Sequence, residues 1–273
     1  MGVVNVTPDS FSDGGRYTDA DAAVAHGLRL RAHGADILDV GGESTRPGAE
    51  RVDPAVEQER VLPVVHALAE AGAVVSIDTM NAATAIAAVA AGARMVNDVS
   101  GGMADPDMLA AVAGSGADVV LQHWRGPSAD MYSRAKYGDV VAEVMAELTA
   151  RIEAAAAAGI PPSRVIIDPG IGFGKRGGHN WQALQGLSRL VALGPRVLVG
   201  TSRKRFLAEA LADDPAEVTE ARRDLATAVT SVLAAQAGVW AVRVHDVAAT
   251  RDALVVASHW EGAARWASPT RSR

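Results

Sequence analysis

The sequence predicts an α/β fold in which eight parallel strands alternate with helices as a single (β/α)8 TIM barrel. Three observations support this fold class. Short β-branched runs recur along the chain, loops rich in glycine, proline, serine or aspartate follow them, and alanine- and leucine-rich segments of helical period come next. Such alternation predicts βα units that share one parallel sheet. One barrel domain over residues 1–273 has the usual size for this fold.

The predicted strands are short and rich in valine and isoleucine, as buried parallel strands are. They are predicted at residues 3–6, 37–40, 74–77, 95–97, 119–122, 165–167, 197–199 and 241–244. The competing architecture, a doubly wound open sheet, usually has fewer strands and a glycine-rich first turn that binds a dinucleotide. Residues 5–9, Asn-Val-Thr-Pro-Asp, do not match that turn. We therefore prefer the barrel.

Helices are predicted between successive strands and after the last one. They cover residues 19–32, 55–71, 82–91, 106–113, 137–158, 181–193, 204–236 and 247–260. Several end at a glycine, such as Gly34 and Gly159, where a positive φ costs little. The seventh segment should break near Asp213-Asp214-Pro215, because proline cannot continue a helix interior.

Composition narrows the classes of function. With 26 basic and 32 acidic residues the net charge is −6, which disfavours a general nucleic-acid or anionic-membrane surface but allows a local basic pocket. The chain has no cysteine, which excludes disulfides, thiolate metal sites and cysteine nucleophiles. No signal peptide is indicated, and a cytoplasmic location is expected. The uncharged stretch from Leu225 to Val242 is interpreted as a buried helix, a glycine turn and a strand.

Polar residues fall repeatedly at the carboxyl ends of the predicted strands. They are Asn5, Asp39, Asp78, Asn97, His123, Asp168, Ser202, Arg243 and His245. In a barrel these positions converge on one mouth, where active sites lie. A lone aspartate after a strand is more often a helix cap or turn former. Because every strand end carries a polar group, a binding pocket is the better interpretation here.

The residue types at this mouth indicate two kinds of ligand group. Asp78, Asn97 and Asp168 can match the donors and acceptors of a flat nitrogen heterocycle. Arg46, Lys204, Arg243 and His245 are cationic or potentially cationic donors that suit an anion. No cluster of two histidines and a carboxylate is readable, which disfavours zinc or iron. The loops at residues 7–15 and 43–48 are candidate lids, or simple flexible connections.

At these residues the sequence closely resembles the dihydropteroate synthase family. The matching segments follow the family's order and span nearly the whole chain: Asn5-Val6-Thr7-Pro8-Asp9-Ser10-Phe11-Ser12-Asp13-Gly14-Gly15, Gly41-Gly42-Glu43-Ser44-Thr45-Arg46-Pro47-Gly48, Ser76-Ile77-Asp78-Thr79, Val96-Asn97-Asp98-Val99-Ser100-Gly101-Gly102, Asp168-Pro169-Gly170-Ile171-Gly172-Phe173-Gly174-Lys175, Gly200-Thr201-Ser202-Arg203-Lys204 and Arg243-Val244-His245-Asp246. Chance does not explain seven such segments in this order.

The resemblance implies roles for individual residues. The pterin pocket is matched by Asp78, Asn97, Asp168 and Lys204. The pyrophosphate site is matched by Asn5, Arg243 and His245, with Thr45 and Arg46 of the second loop, and Asn5 is also the implied protein ligand to Mg²⁺. The surroundings of para-aminobenzoate are matched by Phe11, Pro47, Phe173 and Ser202. The roles of Asp98, His123 and Lys175 are not fixed by the resemblance, and His123 is interpreted as structural.

The implied reaction is displacement of pyrophosphate from the pterin methylene carbon by the amine of para-aminobenzoate, the step that sulfonamides block in folate biosynthesis. The electron-rich dihydropterin can stabilise a cationic methylene, so leaving-group stabilisation and orientation of the amine suffice for catalysis. Lys204, Arg243 and His245 are the implied catalytic residues. Asp9 is our candidate for stabilising the cation when the first loop closes.

Two other interpretations stay open at this point. A pterin-binding methyltransferase domain would share the pterin pocket, but it would not need the first loop, Ser202-Arg203-Lys204 or Arg243 and His245. A non-catalytic relative that binds pterin should show damage in the first two loops, and both are intact. One departure from the family is Gln122, where methionine is common. The family resemblance implies a homodimer, but no stripe in the sequence identifies its interface.

Overall fold

The barrel wall consists of eight short parallel strands whose order in the sheet follows their order in the chain. The computed structural model describes residues 1–7, 16–44, 51–127 and 131–262. The strands are β1 (Gly2–Asn5), β2 (Ile37–Gly41), β3 (Val74–Asp78), β4 (Met95–Asp98), β5 (Asp118–Gln122), β6 (Val165–Asp168), β7 (Arg196–Val199) and β8 (Ala241–Val242). All eight lie within about two residues of their predicted positions, which confirms the pattern of buried β-branched runs.

The sheet closes between its first and last strands. Beyond β8, Val244 forms a parallel bridge with Gly2 of β1. The Val3 amide donates to the Val244 carbonyl at 3.1 Å, and the Val244 amide donates to the Met1 carbonyl at 3.0 Å. Closure removes the two free sheet edges, and the predicted (β/α)8 fold class is confirmed.

The helices pack around this wall. Within the described residues they are α1 (Arg16–Ala32), α2 (Pro54–Glu70), α3 (Ala82–Ala90), α4 (Met108–Ser115), α5 (Val140–Ala157), α6 (Gly178–Gln185), α7 (Leu187–Val191), α8 (Arg205–Glu209), α9 (Glu220–Gln236) and α10 (Val247–Trp260). The predicted segment 181–193 is two helices with Gly186 between them, where a Cβ would lie only 2.6 Å from Val141 of α5. The predicted break near Pro215 is confirmed, because a 3-10 turn at Pro215–Glu217 separates α8 from α9.

The apolar stretch from Leu225 to Val242 contains the end of α9, a turn at Gly238 with φ of 91° and β8, in the predicted order. The expectation that the helix is buried was wrong for one of its faces, since Leu225, Val229 and Leu233 are 66%, 53% and 58% exposed. No helix in the described part of the chain is long and apolar enough to cross a membrane.

Strand periodicity divides the barrel interior into an apolar floor and a polar mouth. A small buried cluster inside the wall consists of Met95, Val120, Ile166 and Leu198, with Met1, Ile37 and Ala241 packed against it. Alternate residues of a strand face the same side of the sheet. Two residues beyond six of these positions stand Asp39, Asn97, Gln122, Asp168, Gly200 and Arg243. Inward-facing polar groups therefore collect directly above the apolar floor.

The opposite end of the barrel is held by a cation that makes no contact with the mouth. Arg164, just before β6, donates from Nε to the Ala117 carbonyl at 2.8 Å and from Nη2 to the Val112 carbonyl at 2.7 Å. These acceptors lie at the carboxyl end of α4 and in the turn that leads into β5. The guanidinium thus supplies donors to carbonyls at and just beyond the end of α4, where few backbone amides are available.

We expect Arg164→Met to lower the free energy of unfolding by about 2 kcal/mol, because charge-assisted hydrogen bonds to buried carbonyls are lost. Activity at the mouth should change less than twofold, as expected for the amino-terminal face of a barrel. Urea denaturation and steady-state assays check this, with the exposed Arg189→Met of α7 as control. A large loss of activity in folded Arg164→Met would contradict the separation of stability from the mouth.

Candidate active site

The mouth is organised by the register of the first four strands. Asn5 is level with Gly41, Gly41 with Asp78, and Asp78 with Asn97. Gly41 carries no side chain, and a Cβ there would lie 3.4 Å from Asp78 Cβ and 3.6 Å from its Oδ2. On the other side of the barrel Gln122 is level with Asp168. Strand pairing therefore places side chains distant in sequence in one ring.

Arg243 binds two carboxylates at this mouth, Asp39 and Asp78. Its Nε donates to Asp39 Oδ2 at 2.6 Å, and its Nη2 donates to Asp78 Oδ2 at 2.8 Å. Asn97 Nδ2 also donates to Asp39 Oδ2, at 3.0 Å. Asp39 is fully buried, and its second oxygen accepts no hydrogen bond from the described residues. Asp39 thus orients both Arg243 and Asn97.

Asp39 was recognised in the sequence only as one of the strand-end polar residues, with no ligand role. Its partner Arg243 lies 204 residues further along the chain, so no local pattern could show the pairing. The signal available in the sequence was the alternation of side chains along the strand. Asp39 faces inward because it stands two residues beyond Ile37 of the apolar floor.

Burial has the largest effect on the pKa of Asp78. It raises the pKa of the carboxyl to about 7, with Asp39, Glu57 and Asp98 adding repulsion and Arg243 acting in the opposite direction. A carboxyl with this pKa exchanges its proton near neutral pH, so it can either donate or accept a hydrogen bond to a ligand.

Asp168 and Lys204 form the second charged part of the mouth. Asp168 is buried, its Oδ1 accepts from the Gly170 amide at 2.6 Å, and burial raises the pKa of its carboxyl. Lys204 Nζ donates to the Ile171 carbonyl and lies 4.8 Å from the centroid of the Phe173 ring. Burial lowers the pKa of Lys204 to about 8, while Asp168 acts to raise it.

Two glycines leave space for the Lys204 side chain. A Cβ at Gly172, where φ is 82°, would lie 2.8 Å from Lys204 Cδ. At Gly200 a Cβ would lie 3.8 Å from Lys204 Nζ and 3.7 Å from Arg243 Cβ. The first position requires glycine on both steric and conformational grounds, and Gly200 lies between the two cations.

The loop after β7 is held in a strained conformation. Arg203 has a φ of 57°, which is unfavourable for a residue with a side chain. Its amide donates to Thr227 Oγ1 at 3.2 Å, and its guanidinium binds both oxygens of Asp224 at 2.7 and 2.8 Å. These contacts from α9 fix the loop between Ser202 and Lys204. The sequence did not indicate Asp224 as its anchor.

Ser202 and His245 contact each other across the ends of β7 and β8. Ser202 Oγ lies 2.8 Å from His245 Nδ1 and accepts from the His245 amide at 3.1 Å. The hydroxyl hydrogen can therefore donate to Nδ1, which favours the tautomer that carries hydrogen on Nε2. The residues predicted for pyrophosphate (His245) and for para-aminobenzoate (Ser202) are therefore adjacent.

A further hydrogen-bond network, which the sequence did not reveal, supports the second loop. Glu43 lies 2.9 Å from Arg51 Nε and accepts from the Val52 amide at 3.1 Å. Arg51 Nη2 donates to Asn81 Oδ1 at 2.7 Å, and Asn81 Nδ2 donates to the buried Glu57 at 2.7 Å. Residues on both sides of segment 45–50 are therefore anchored, through Asn81 at the start of α3, to Glu57 of α2.

The structure brings Asp78, Asn97, Asp168, Lys204, Arg243, Ser202 and His245 to the same end of the barrel, with Phe173 beside Lys204 and Asn5 exposed at the end of β1. Five predicted residues lie outside the described residues: Asp9, Phe11, Thr45, Arg46 and Pro47. Gln122 is buried and its Nε2 donates to the Val99 carbonyl at 3.3 Å. Asp98 accepts from the Ser100 and Gly102 amides and shapes its own loop.

Asp78 should make stability depend on pH. Its raised pKa means that the folded state binds more protons than the unfolded state between about pH 4 and 7, so the free energy of unfolding falls as pH rises through that window. Asp78→Asn removes this effect. Between pH 5 and 8 the variant should therefore lose about 1–3 kcal/mol less of its free energy of unfolding than the wild type does. Urea titrations at pH 5 and 8 check this, with the exposed Asp252→Asn as control. Parallel pH profiles for wild type and Asp78→Asn would contradict it.

Comparison with known proteins agrees with this geometry. Residues 1–245 match the family of pterin binding enzymes. The chain is 56% identical over 262 residues to the dihydropteroate synthase of Mycobacterium leprae, covering 95% of this chain and 92% of that protein. The structure of Xanthomonas albilineans dihydropteroate synthase with 4-aminobenzoic acid superposes with a TM-score of 0.89 at 48% identity, covering 96% of this chain and 93% of that one.

A structure of the Xanthomonas albilineans synthase in complex with 7,8-dihydropteroate is similar as well, with a TM-score of 0.85 at 46% identity over 96% of this chain and 93% of that chain. These matches extend over nearly the full length of the chain and include both the barrel and the residues of its mouth. The chain belongs to the dihydropteroate synthase family.

Proposed function

We propose that this protein condenses para-aminobenzoate with (7,8-dihydropterin-6-yl)methyl diphosphate, releasing pyrophosphate and forming 7,8-dihydropteroate in folate biosynthesis. The observation that carries the proposal is the set of buried Asp78, Asn97 and Asp168 with partly buried Lys204 around Arg243, in a chain of the dihydropteroate synthase family. The ring supplies carboxylate, amide and ammonium groups in one cavity mouth, which suits a pterin with a charged substituent.

The pterin is proposed to bind against the deep part of the ring. Asp168 accepts hydrogen bonds from the aminopyrimidine edge, Asn97 offers both a donor and an acceptor, and Lys204 donates near the ring. Asp78 complements these groups, because its carboxyl exchanges a proton near neutral pH. Asp39 holds Asn97 and Arg243 in place before the ligand arrives. Such preorganisation reduces the entropy lost on binding.

The diphosphate is proposed to bind at the rim formed by β1, β8 and the second loop. Arg243 and His245 donate to its oxygens, with Asn5, Thr45 and Arg46 completing the site. The contact of Ser202 with His245 Nδ1 supports this placement, since it directs an Nε2 hydrogen away from the serine. Positive groups at this position stabilise the charge that develops on the departing pyrophosphate.

Para-aminobenzoate is proposed to bind between the loops, beside Phe173 and Ser202, with Phe11 and Pro47 contributing apolar surface. The location of Phe173 next to Lys204 supports this arrangement, because the amine must approach the pterin methylene carbon. Sulfonamides mimic para-aminobenzoate and are proposed to compete at the same subsite.

In the proposed reaction the neutral amine attacks the methylene carbon, a C–N bond forms, and the C–O bond to the diphosphate breaks. The amine nitrogen then loses one proton to solvent. No covalent enzyme intermediate is needed, because the enzyme acts through orientation and leaving-group stabilisation. Asp9 of the first loop is proposed to stabilise cationic character on the pterin.

Mg²⁺ is proposed as cofactor, with Asn5 as its protein ligand. Among the described residues no three His, Asp or Glu side chains form a metal cluster. Asn5 does fit a different mode, since its exposed amide at the end of β1 offers one oxygen, and Mg²⁺ is commonly held by few protein ligands plus substrate phosphates. When bound, the ion would offset negative charge on the diphosphate.

Two alternatives are weaker. The full-length similarity to dihydropteroate synthases favours the synthase over a pterin-binding methyltransferase. The ordered contacts of Arg243 and His245 argue against a relative that binds pterin but has lost its chemistry, since such a protein would not need a pyrophosphate site. A cytoplasmic location is proposed with the synthase activity, because folate precursors are made inside the cell in this interpretation.

We expect purified protein to release pyrophosphate only when the pterin diphosphate, Mg²⁺ and para-aminobenzoate are all present. Lys204→Ala should lower the rate by about 100-fold, because a buried ammonium near the reacting ring is lost. The exposed Lys136→Ala is the matched control and should retain wild-type rates. Pterin binding by the wild type without amine-dependent release would instead support the non-catalytic alternative.

The protein is also proposed to form a homodimer through the outer face of α9 and α10. Leu225, Val229 and Leu233 recur every four residues on α9 and are more than half exposed. On the neighbouring α10, Val256 and Trp260 are 67% and 89% exposed. Apolar area of this kind typically marks an interface, and a second copy of the chain is the occupant that the family resemblance implies. The four-residue spacing was readable in the sequence but was not recognised as an interface.

Val229→Asp should convert the dimer into a monomer of 28.1 kDa, because an ionised carboxylate would be buried at the interface. Sedimentation equilibrium checks the mass. Ile86→Asp, at a 52% exposed position on α3, is the control and should leave the mass unchanged. A wild-type protein that sediments as a monomer at micromolar concentration would refute the proposed interface.

A further inference from the structure

The loop after β6 is held almost entirely by side chains. Gly170, Gly172 and Gly174 have φ angles of 64°, 82° and 57°, so this segment has little intrinsic preference for one conformation. A Cβ at Gly170 would lie 2.3 Å from the His123 carbonyl oxygen, which makes glycine obligatory there. The conformation of the loop must therefore be imposed by its neighbours.

Each carbonyl from residue 170 to 174 accepts a hydrogen bond from a side chain. Tyr132 donates to the Gly172 carbonyl at 3.3 Å, and Tyr137 donates to the Gly174 carbonyl at 3.0 Å. Lys204 donates to the Ile171 carbonyl. The two remaining carbonyls, of Gly170 and Phe173, are both bound by Lys175 at 3.1 and 3.3 Å. Lys175 is thus the group that ties the two ends of the turn together.

The Lys175 ammonium is buried and fully coordinated. Its side chain is among the largest fully buried ones, and the residue is 1% exposed. The third contact of Nζ is His123 Nδ1 at 3.0 Å. Three N–H donors therefore meet three acceptors, and loss of the proton would leave one acceptor without its donor.

His123 links Lys175 to Glu147 near the protein surface. Because its Nδ1 accepts from Lys175, its ring hydrogen lies on Nε2, which is 2.9 Å from Glu147 Oε2. Burial lowers the pKa of His123 to about 4, so the ring is neutral near pH 7. Burial alone would raise the pKa of Glu147, but the close contact with His123 and the hydrogen bonds from Arg125 hold it at about 2. The series is thus a carboxylate, a neutral imidazole and an ammonium.

The charges that face Lys175 come from four sides. Burial lowers its pKa to about 7, Asp168 and Glu147 act to raise it, and Lys204 and Arg125 act to lower it. The Tyr137 ring centroid lies 5.9 Å from Nζ. The ammonium is therefore sensitive to any change in these charges within the neutral pH range.

We propose that Lys175, held through His123 by Glu147, is a positioning residue for the para-aminobenzoate subsite. It fixes the backbone of residues 170–173, which carries Phe173. It need not touch either substrate. This inference rests on the proposed synthase function, and it gives a role to Lys175 and His123, which the family resemblance left without one.

The matched pair of variants for this proposal is Glu147→Gln and Glu143→Gln. Both carboxylates bind Arg125 from α5, with Glu143 Oε2 at 2.7 Å from Nη2, but only Glu147 contacts His123. Above pH 7, Glu147→Gln should raise the KM for para-aminobenzoate about threefold, with the KM for the pterin diphosphate and kcat within twofold, because the ammonium loses a stabilising charge. Glu143→Gln should match the wild type.

Lys175→Met should raise the KM for para-aminobenzoate about tenfold at every pH, since two charge-assisted hydrogen bonds to the loop are lost. In Lys175→Met the KM for para-aminobenzoate should also no longer follow the ionisation of Lys175, the ionisation that Glu147→Gln shifts. Equal rises in both KM values, or equal effects of the two glutamate variants, would overturn the proposal. If Lys175→Met does not fold, the glutamate pair alone decides between these outcomes.

A second readout does not depend on catalysis. The chain has three lysines, at 136, 175 and 204, so ¹⁵N NMR of the side chains can follow each one. Glu147→Gln should lower the pKa of Lys175 and speed hydrogen exchange of residues 170–174, whereas Glu143→Gln should do neither. An unchanged Lys175 titration in Glu147→Gln would refute the proposal. Absence of condensation by the wild type with these NMR effects intact would refute only the proposed function.

Discussion

The mouth of this barrel depends on one guanidinium that neutralises buried carboxylates. Asp39 and Asp78 lie on neighbouring strands and face inward, where their charges repel and water is excluded. Arg243 binds an oxygen of each at 2.6 and 2.8 Å. Arg243 lowers the pKa of Asp78 against the burial that raises it, so ionisation of that carboxyl would cost still more without the cation. Pairing with Arg243 therefore allows buried carboxylates to serve as ligand contacts at the mouth while the barrel stays folded.

Barrel geometry explains why these charges can be gathered at all. The same two-residue periodicity that places Met95, Val120, Ile166 and Leu198 in an apolar floor places polar residues one layer above them. The floor supplies hydrophobic stabilisation, and the layer above it supplies ligand contacts. Because the layers are set by strand register, a polar group at the mouth needs no loop to aim it. Loops add the remaining contacts, and they require glycines and anchoring side chains, as in the segment from Gly170 to Gly174.

Fold and mouth were largely predictable because both follow from local patterns. Strand positions came from β-branched runs, and the inward-facing polar residues came from their place at the ends of those runs. The interactions that hold the site were not predictable, since they join residues far apart in the chain: Asp39 with Arg243, Arg203 with Asp224, and Lys175 with His123. No sequence periodicity links such pairs. The exposed stripe on α9 was readable, but an apolar helix face also fits a core, so its exposure needed the structure.

The two lysines of the mouth illustrate how one chemical group can serve two purposes. Lys175 is fully buried and Lys204 is partly buried, and loss of hydration lowers the pKa of each. Among the described residues Lys204 Nζ donates to one carbonyl, in the loop after β6, so donors are left for a ligand. Lys175 uses all three donors within the protein. The two lysines thus differ in how many of their donors the protein satisfies, which matches a ligand-binding role for Lys204 and a positioning role for Lys175. Because both bind carbonyls of the same loop, a ligand that draws Lys204 away from Ile171 leaves the loop held by Lys175 together with Tyr132 and Tyr137.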